Sequence, residues 1–173
     1  MKIIRHVDIH APEHIGQKDI LIEGHRIIAI EDHIEANITG VTIEEIDGTG
    51  KIASPGFIDA HFHLLGGGGE NGFQNRTPEV KLTDLTTAGV TTVAGLLGTD
   101  GVGRNDVALL SKAHALEIEG ISTYVYIGNY RLPIETVTDS IIKDIMVIDK
   151  AIGIGEVAIS DHRNGAPTFE QFA

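Results

Sequence analysis

The rhythm of apolar and polar positions changes once along the chain, near Pro55. Before it lie short β-branched runs, Val7-Asp8-Ile9, Asp19-Ile20-Leu21-Ile22-Glu23 and Arg26-Ile27-Ile28-Ala29-Ile30-Glu31, which predict strands. The last two meet at Gly24-His25, which predicts a hairpin with a short glycine-containing turn. After Pro55, apolar runs of strand length alternate with helical stretches. Thr77-Pro78-Glu79 predicts a helix start, with Thr77 as cap and Pro78 in the first helical position, running to about Ala88 and stopped by Gly89. Val90-Thr91-Thr92-Val93-Ala94 predicts a buried strand. Asn105-Asp106 opens a helix through Glu119, and Ser122 to Ile127 is the next strand. A helix over 139–150, a strand over 152–159 and a helix start at 167–169 complete the pattern. Strands alternating with helices over short connections make parallel βαβ units, so the expected fold class is α/β.

The change of rhythm coincides with the stretch richest in chemistry. Pro55-Gly56-Phe57-Ile58-Asp59-Ala60-His61-Phe62-His63 reads as a strand that runs out into Leu64-Leu65-Gly66-Gly67-Gly68-Gly69-Glu70. Alternate side chains on a strand face opposite ways, so His61 and His63 share one face, with Ile58, Ala60 and Phe62 on the other. Two imidazoles on one rigid face suit a zinc-like cation, although a bare His-x-His also occurs on half-exposed strands without a ligand. The glycines end the strand and let backbone N–H groups come close to a ligand. His6, His10, His14, His25 and His33 share no period and read as surface residues.

Composition narrows the choice. The chain has 173 residues, 42% of them hydrophobic, enough to bury a core. With no cysteine, a metal site must use nitrogen and oxygen ligands. Thirteen Lys and Arg against 25 Asp and Glu give a formal charge of −12, which argues against nucleic acid and anionic membranes as partners. No membrane-length apolar run and no secretory leader is apparent, so the expected location is cytoplasmic.

The string Pro-Gly-Phe-Ile-Asp-x-His-x-His resembles the signature of the amidohydrolase superfamily, metal-dependent hydrolases built on a (β/α)8 TIM barrel. Four further strings resemble its isoaspartyl (β-aspartyl) dipeptidase branch: Gly66-Gly67-Gly68-Gly69-Glu70, Arg76-Thr77-Pro78-Glu79-Val80, Gly95-Leu96-Leu97-Gly98-Thr99-Asp100 and Ala158-Ile159-Ser160-Asp161-His162-Arg163. The resemblance implies that residues 1–53 are the N-terminal part of a small β-sandwich lobe. Residues 54–173 would be the first half of the barrel, since a complete one takes about 250 residues. It implies hydrolysis of the isopeptide bond of β-aspartyl dipeptides by a metal-bound hydroxide, with two divalent metal ions, zinc being expected, in a homo-oligomer. His61 and His63 would be metal ligands; Gly68, Gly69, Glu70, Thr99, Tyr130 and Arg163 would contact substrate. Glu70 suits an ammonium, Arg163 a carboxylate, and the Tyr130 hydroxyl a carbonyl oxygen gaining charge.

One position departs from the family. A lysine, carboxylated to bridge two metals, usually ends the fourth strand; here Glu156 stands at that place in Ile154-Gly155-Glu156-Val157, with an approach one residue longer. Glutamate can bridge directly but is shorter, so the metals must sit nearer the strand or the backbone must shift at Gly155. The family's remaining histidines and its general base, an aspartate, are expected beyond residue 173, so this chain alone is expected to be inactive. The alternatives are a cyclic-amide hydrolase of the dihydroorotase or hydantoinase kind, which shares the His-x-His strand, and a half-barrel that serves as an inert subunit.

Overall fold

The computed structural model describes residues 1–37, 39–161 and 166–172. They form two units, Met1–Pro55 and Gly56–Ala173. Among the described residues no helix is long and apolar enough to cross a membrane.

The first unit is one mixed sheet of β1 (Lys2–His10), β2 (His14–Glu23), β3 (Arg26–Glu31), β4 (Glu44–Asp47) and β5 (Ile52–Ala53). Its order is β3-β2-β1-β4, with β5 also on β1. The expected hairpin is present: Glu23 pairs with Arg26 across the turn. Val7, Ile9 and Ile20 make a small buried cluster, while Ile27, Ile28 and Ile30 remain exposed. The described residues of this unit build a single layer, without the second sheet of a sandwich.

A bulge organises this sheet. Ile4 pairs with Ile20 and Val7 with Lys18, so Arg5 and His6 together oppose Asp19. His6 takes a left-handed φ of 53° there. The Asp19 side chain is fully buried and takes up what the bulge leaves unpaired. It accepts from the His6 N–H at 3.0 Å, the Arg5 guanidinium at 2.7 Å and the Ile34 N–H at 3.1 Å. Arg5 also reaches Glu45 at 2.8 Å, which ties β1 to β4 through side chains as well as backbone.

The second unit runs β6 (Phe57–Phe62), α1 (Leu82–Thr87), β7 (Val90–Gly95), α2 (Asp106–Ile118), β8 (Ser122–Ile127), α3 (Ile141–Val147), β9 (Ala151–Ile154) and α4 (Phe169–Phe172). The sheet order is β6-β7-β8-β9 and every pair is parallel. Leu64, Leu85, Val93, Leu97, Leu109 and Val125 are among its fully buried residues, so the core lies where α1 and α2 cover the sheet. Asn105 caps α2 as expected, its side chain accepting from Ala108 N–H at 2.9 Å. The edge strands are poorly covered: Ile58 is 72% exposed and Ile152 48%.

Three expected boundaries shift. The helix expected from Thr77 begins at Leu82, where the Lys81 N–H donates to the Asp84 carboxylate at 2.9 Å. Thr77 is engaged elsewhere: its hydroxyl accepts from the Gly67 N–H at 2.7 Å and its own N–H donates to Gly67 at 3.0 Å. The helix expected over 139–150 is confined to Ile141–Val147, with Ser140 as cap. The strand expected to reach Ile159 ends at Ile154; the Gly155 N–H makes the last rung to β8, donating to the Ile127 carbonyl at 3.0 Å.

Asp19 gives this fold a pH dependence. Burial pushes its carboxyl up, but Arg5 and the two backbone N–H groups overcome that and hold it at about 2 instead of 3.8. A depressed pKa contributes stability that is present above the unfolded value and lost as pH falls through the folded one. Between pH 4 and 2 the first unit should lose about 2 kcal/mol from this group. Urea unfolding followed at the His6 amide should show that loss in the wild type and a flatter profile in Asp19→Asn. Equal acid loss in both proteins would remove Asp19 from the account.

Candidate metal centre

The parallel sheet gathers the expected chemistry at one rim. His61 is the penultimate residue of β6 and His63 follows one residue after its end. Two buried leucines come next, Leu64 and Leu65, and they anchor the turn that presents His63. Glu156 arrives from beyond β9. Its Oε2 lies 3.3 Å from His61 Nε2 and 4.0 Å from His63 Nε2. Ligand atoms of the three residues all fall within 4.8 Å of one another. The two rings meet edge to face, with centroids 5.7 Å apart. Gly98 makes room for this arrangement: a Cβ there would lie 2.6 Å from His63 Cε1.

These residues fit a divalent cation. Among the described residues, the buried Glu156 Oε2 has no hydrogen-bond partner although His61 Nε2 is near, and the buried His63 Nδ1 has none either. A buried carboxylate oxygen without a donor is costly, and a cation between it and the imidazoles removes that cost. Burial also holds the His63 pKa below its ordinary value, in spite of Glu156, and so favours the neutral imidazole that metals require. Two nitrogens and a carboxylate oxygen suit zinc and its neighbours.

Other expected residues stand around this cluster. The Tyr130 hydroxyl donates to Glu156 Oε1 at 3.2 Å, and the Tyr130 carbonyl accepts from the Ala158 N–H at 3.2 Å, so the β8 and β9 loops hold each other. The Thr99 hydroxyl lies 3.4 Å from the Gly68 carbonyl. The glycine run is less open than the sequence suggests. The Gly66, Gly67 and Gly69 N–H groups donate to the His63 carbonyl, the Thr77 hydroxyl and the Asn75 carbonyl, at 2.8, 2.7 and 2.7 Å. It is a bonded turn that carries Gly68 and Glu70, more than a cradle of unused donors. Arg163 lies outside the described residues.

Sequence reasoning missed the groups that brace this turn. Arg104 donates to the Gly67 carbonyl at 3.2 Å and the Thr77 carbonyl at 2.9 Å. Arg76 pairs with Asp100 and lies 4.6 Å over the Phe73 ring. Asp100 is held below the usual carboxylate range: burial opposes this, but the Gly103 N–H and Arg76 prevail. Two arginines near a glycine loop were the available signal. A cleft of about 500 Å3 lies beside the centre, with Asp59, His61, His63, Gly67, Thr77 and Glu79 among its walls. Glu70, Thr99, Tyr130 and Glu156 do not line it, so it is not where the expected substrate contacts converge. Sequence reasoning read His10 and His14 as surface residues without a shared period; the β1–β2 register sets them opposite each other, beside Asp8.

Comparison with known proteins gives this geometry a context. No family model matches the chain. Among curated sequences, a dihydroorotase of Listeria monocytogenes is 41% identical over 63 residues, which is 36% of this chain and 14% of that protein. Among solved structures, a D-hydantoinase from Bacillus sp. AR9 superposes with a TM-score of 0.62 at 23% identity, over 99% of this chain and 36% of its own, and shows a shared fold. The β-aspartyl dipeptidase of Fervidobacterium islandicum AW-1, solved with β-Asp-Leu, superposes with a TM-score of 0.91 at 47% identity, over 99% of this chain and 44% of its own. The chain thus spans less than half the length of each of these proteins. Over nearly its whole length it is a close structural homologue of β-aspartyl dipeptidase, an enzyme of the amidohydrolase superfamily.

Proposed function

We propose that this chain is part of a metal-dependent hydrolase that cleaves the isopeptide bond of β-aspartyl dipeptides. In this reading residues 54–173 are the first half of a (β/α)8 barrel and residues 1–53 part of a β-sandwich lobe, with the remaining strands and the general base supplied by sequence outside 1–173. The assembly is a cytoplasmic homo-oligomer. The observation that carries the reading is the meeting of His61, His63 and Glu156 at the C-terminal rim of a parallel sheet, with the Tyr130 hydroxyl on the same carboxylate.

His61, His63 and Glu156 would hold a pair of divalent ions, zinc by their donor set. When bound, such a pair lowers the pKa of water and polarises a carbonyl. The protein's own side chains do the rest. Glu70, carried on the bonded glycine turn with Gly68 and Gly69, faces the free ammonium of the dipeptide. Thr99 steadies that turn through Gly68. Arg163 holds the carboxylate by its planar fork. Tyr130, whose one hydroxyl proton goes to Glu156 Oε1 without substrate, turns to donate to the carbonyl oxygen as charge grows there.

A cyclic-amide hydrolase is the second reading, and the local match to dihydroorotase favours it. A cyclic amide has no free ammonium, so it gives Glu70 nothing to hold. The test uses the complete enzyme, made by joining this chain to the part of the Fervidobacterium dipeptidase that it does not span. It should turn over β-Asp-Leu and leave dihydroorotate and hydantoin intact. Glu70→Gln should raise KM for β-Asp-Leu roughly tenfold or more, the scale of one lost charge-assisted contact, and barely change the already poor cleavage of its N-acetyl analogue. Turnover of the cyclic amides, or equal losses on both dipeptides, would overturn the reading.

A further inference from the structure

The first unit carries a second group of metal-ligating side chains, remote in sequence from the barrel-rim cluster and independent of the reading above. Asp8 and His10 are two apart on β1 and therefore face the same way. The β1–β2 register pairs His10 with His14 across the turn at Ala11, Pro12 and Glu13. Three side chains thus converge from two strands whose separation the sheet fixes. His10 Nε2 lies 3.4 Å from Asp8 Oδ2 and His14 Nε2 lies 2.6 Å from Asp8 Oδ1. The imidazoles stack with centroids 4.7 Å apart, and a ligand atom from each residue falls within 4.8 Å of the others.

We propose that Asp8, His10 and His14 form a second divalent-metal site, of the zinc class, which clasps the tip of the β1–β2 hairpin. The donor set is two imidazole nitrogens and one carboxylate oxygen, which suits zinc, nickel or copper(II) better than magnesium or calcium. In a tetrahedral zinc site with bonds of about 2.05 Å, ligand atoms stand roughly 3.3 Å apart. His10 Nε2 stands at about that spacing from Asp8 Oδ2, at 3.4 Å, while His14 Nε2 is 2.6 Å from Oδ1, so sharing one cation requires the exposed His14 ring to swing outward. Three protein ligands, all at least partly exposed, leave the remaining coordination positions to water. A cation held there would bind only the paired hairpin and would stabilise it by mass action.

The test is zinc titration of the full chain with the histidine imidazoles observed by 1H–13C NMR. The His10 and His14 resonances should move together in one saturable, stoichiometric step. That step should persist in a His61→Ala/His63→Ala variant, which removes the barrel-rim imidazoles. In His14→Ala and, separately, in the isosteric Asp8→Asn, the His10 response should need roughly tenfold or more additional zinc. Backbone amide spectra of β2 confirm that the hairpin persists; if His14→Ala loses it, Asp8→Asn decides. His10 and His14 signals that stay still at millimolar zinc would overturn the proposal. So would a His10 response unchanged in the variant that decides, or one lost with His61 and His63.

Discussion

Four strands that run the same way, each returned to its start by a connection across one face, put every post-strand loop at one end of the sheet. That constraint makes the metal centre possible. His61 and His63 leave β6, Thr99 follows β7, Tyr130 follows β8 and Glu156 follows β9, and direction alone brings them to a common rim. The finer placement comes from hydrogen bonds. Gly155 bonds back to Ile127 and Ala158 to Tyr130, which sets the turn that aims Glu156. Buried Leu64 and Leu65 fix the opposite side, and Arg104 pins the glycine turn to Thr77.

Much of this was legible where local signals and tertiary demands agree. β8 was readable to the residue because Thr123, Val125 and Ile127 alternate as a buried face after Gly120. α2 was readable because Asn105 is a cap by chemistry as well as position. The failures have a common cause. Thr77 has the makings of a helix cap, but a hydroxyl can serve only a few partners, and here it serves Gly67. The 152–159 run is apolar enough for a long strand, yet the chain leaves the sheet at Gly155. The Asp19 bulge and the Asp8–His10–His14 group depend on cross-strand register, which no single strand encodes. Arg163 belongs to one of the four matching strings, and its position lies outside the described residues.

Glu156 departs from the pattern of the family that the sequence resembles, and its surroundings in the structure bear on that departure. Lys150, the lysine before β9, lies at the other end of the sheet. It is buried, paired with Glu117, and bonded to the Thr123 hydroxyl at 2.9 Å. It cannot take the bridging place without leaving those partners. Glu156 already reaches both imidazoles with a short side chain, and the backbone freedom of Gly155, at φ 142°, brings it there. In the proposed reading, the carboxylate that a lysine would have to acquire from carbon dioxide is part of the Glu156 side chain.

Reconstitution tests that claim directly. The complete enzyme, stripped of metal, would be reloaded with zinc in degassed buffer and in buffer with bicarbonate, and metal content and β-Asp-Leu turnover measured in each. The account predicts the same metal content and the same rate in both, because no lysine has to be carboxylated. A strong dependence on bicarbonate would contradict it and assign the bridge to a lysine.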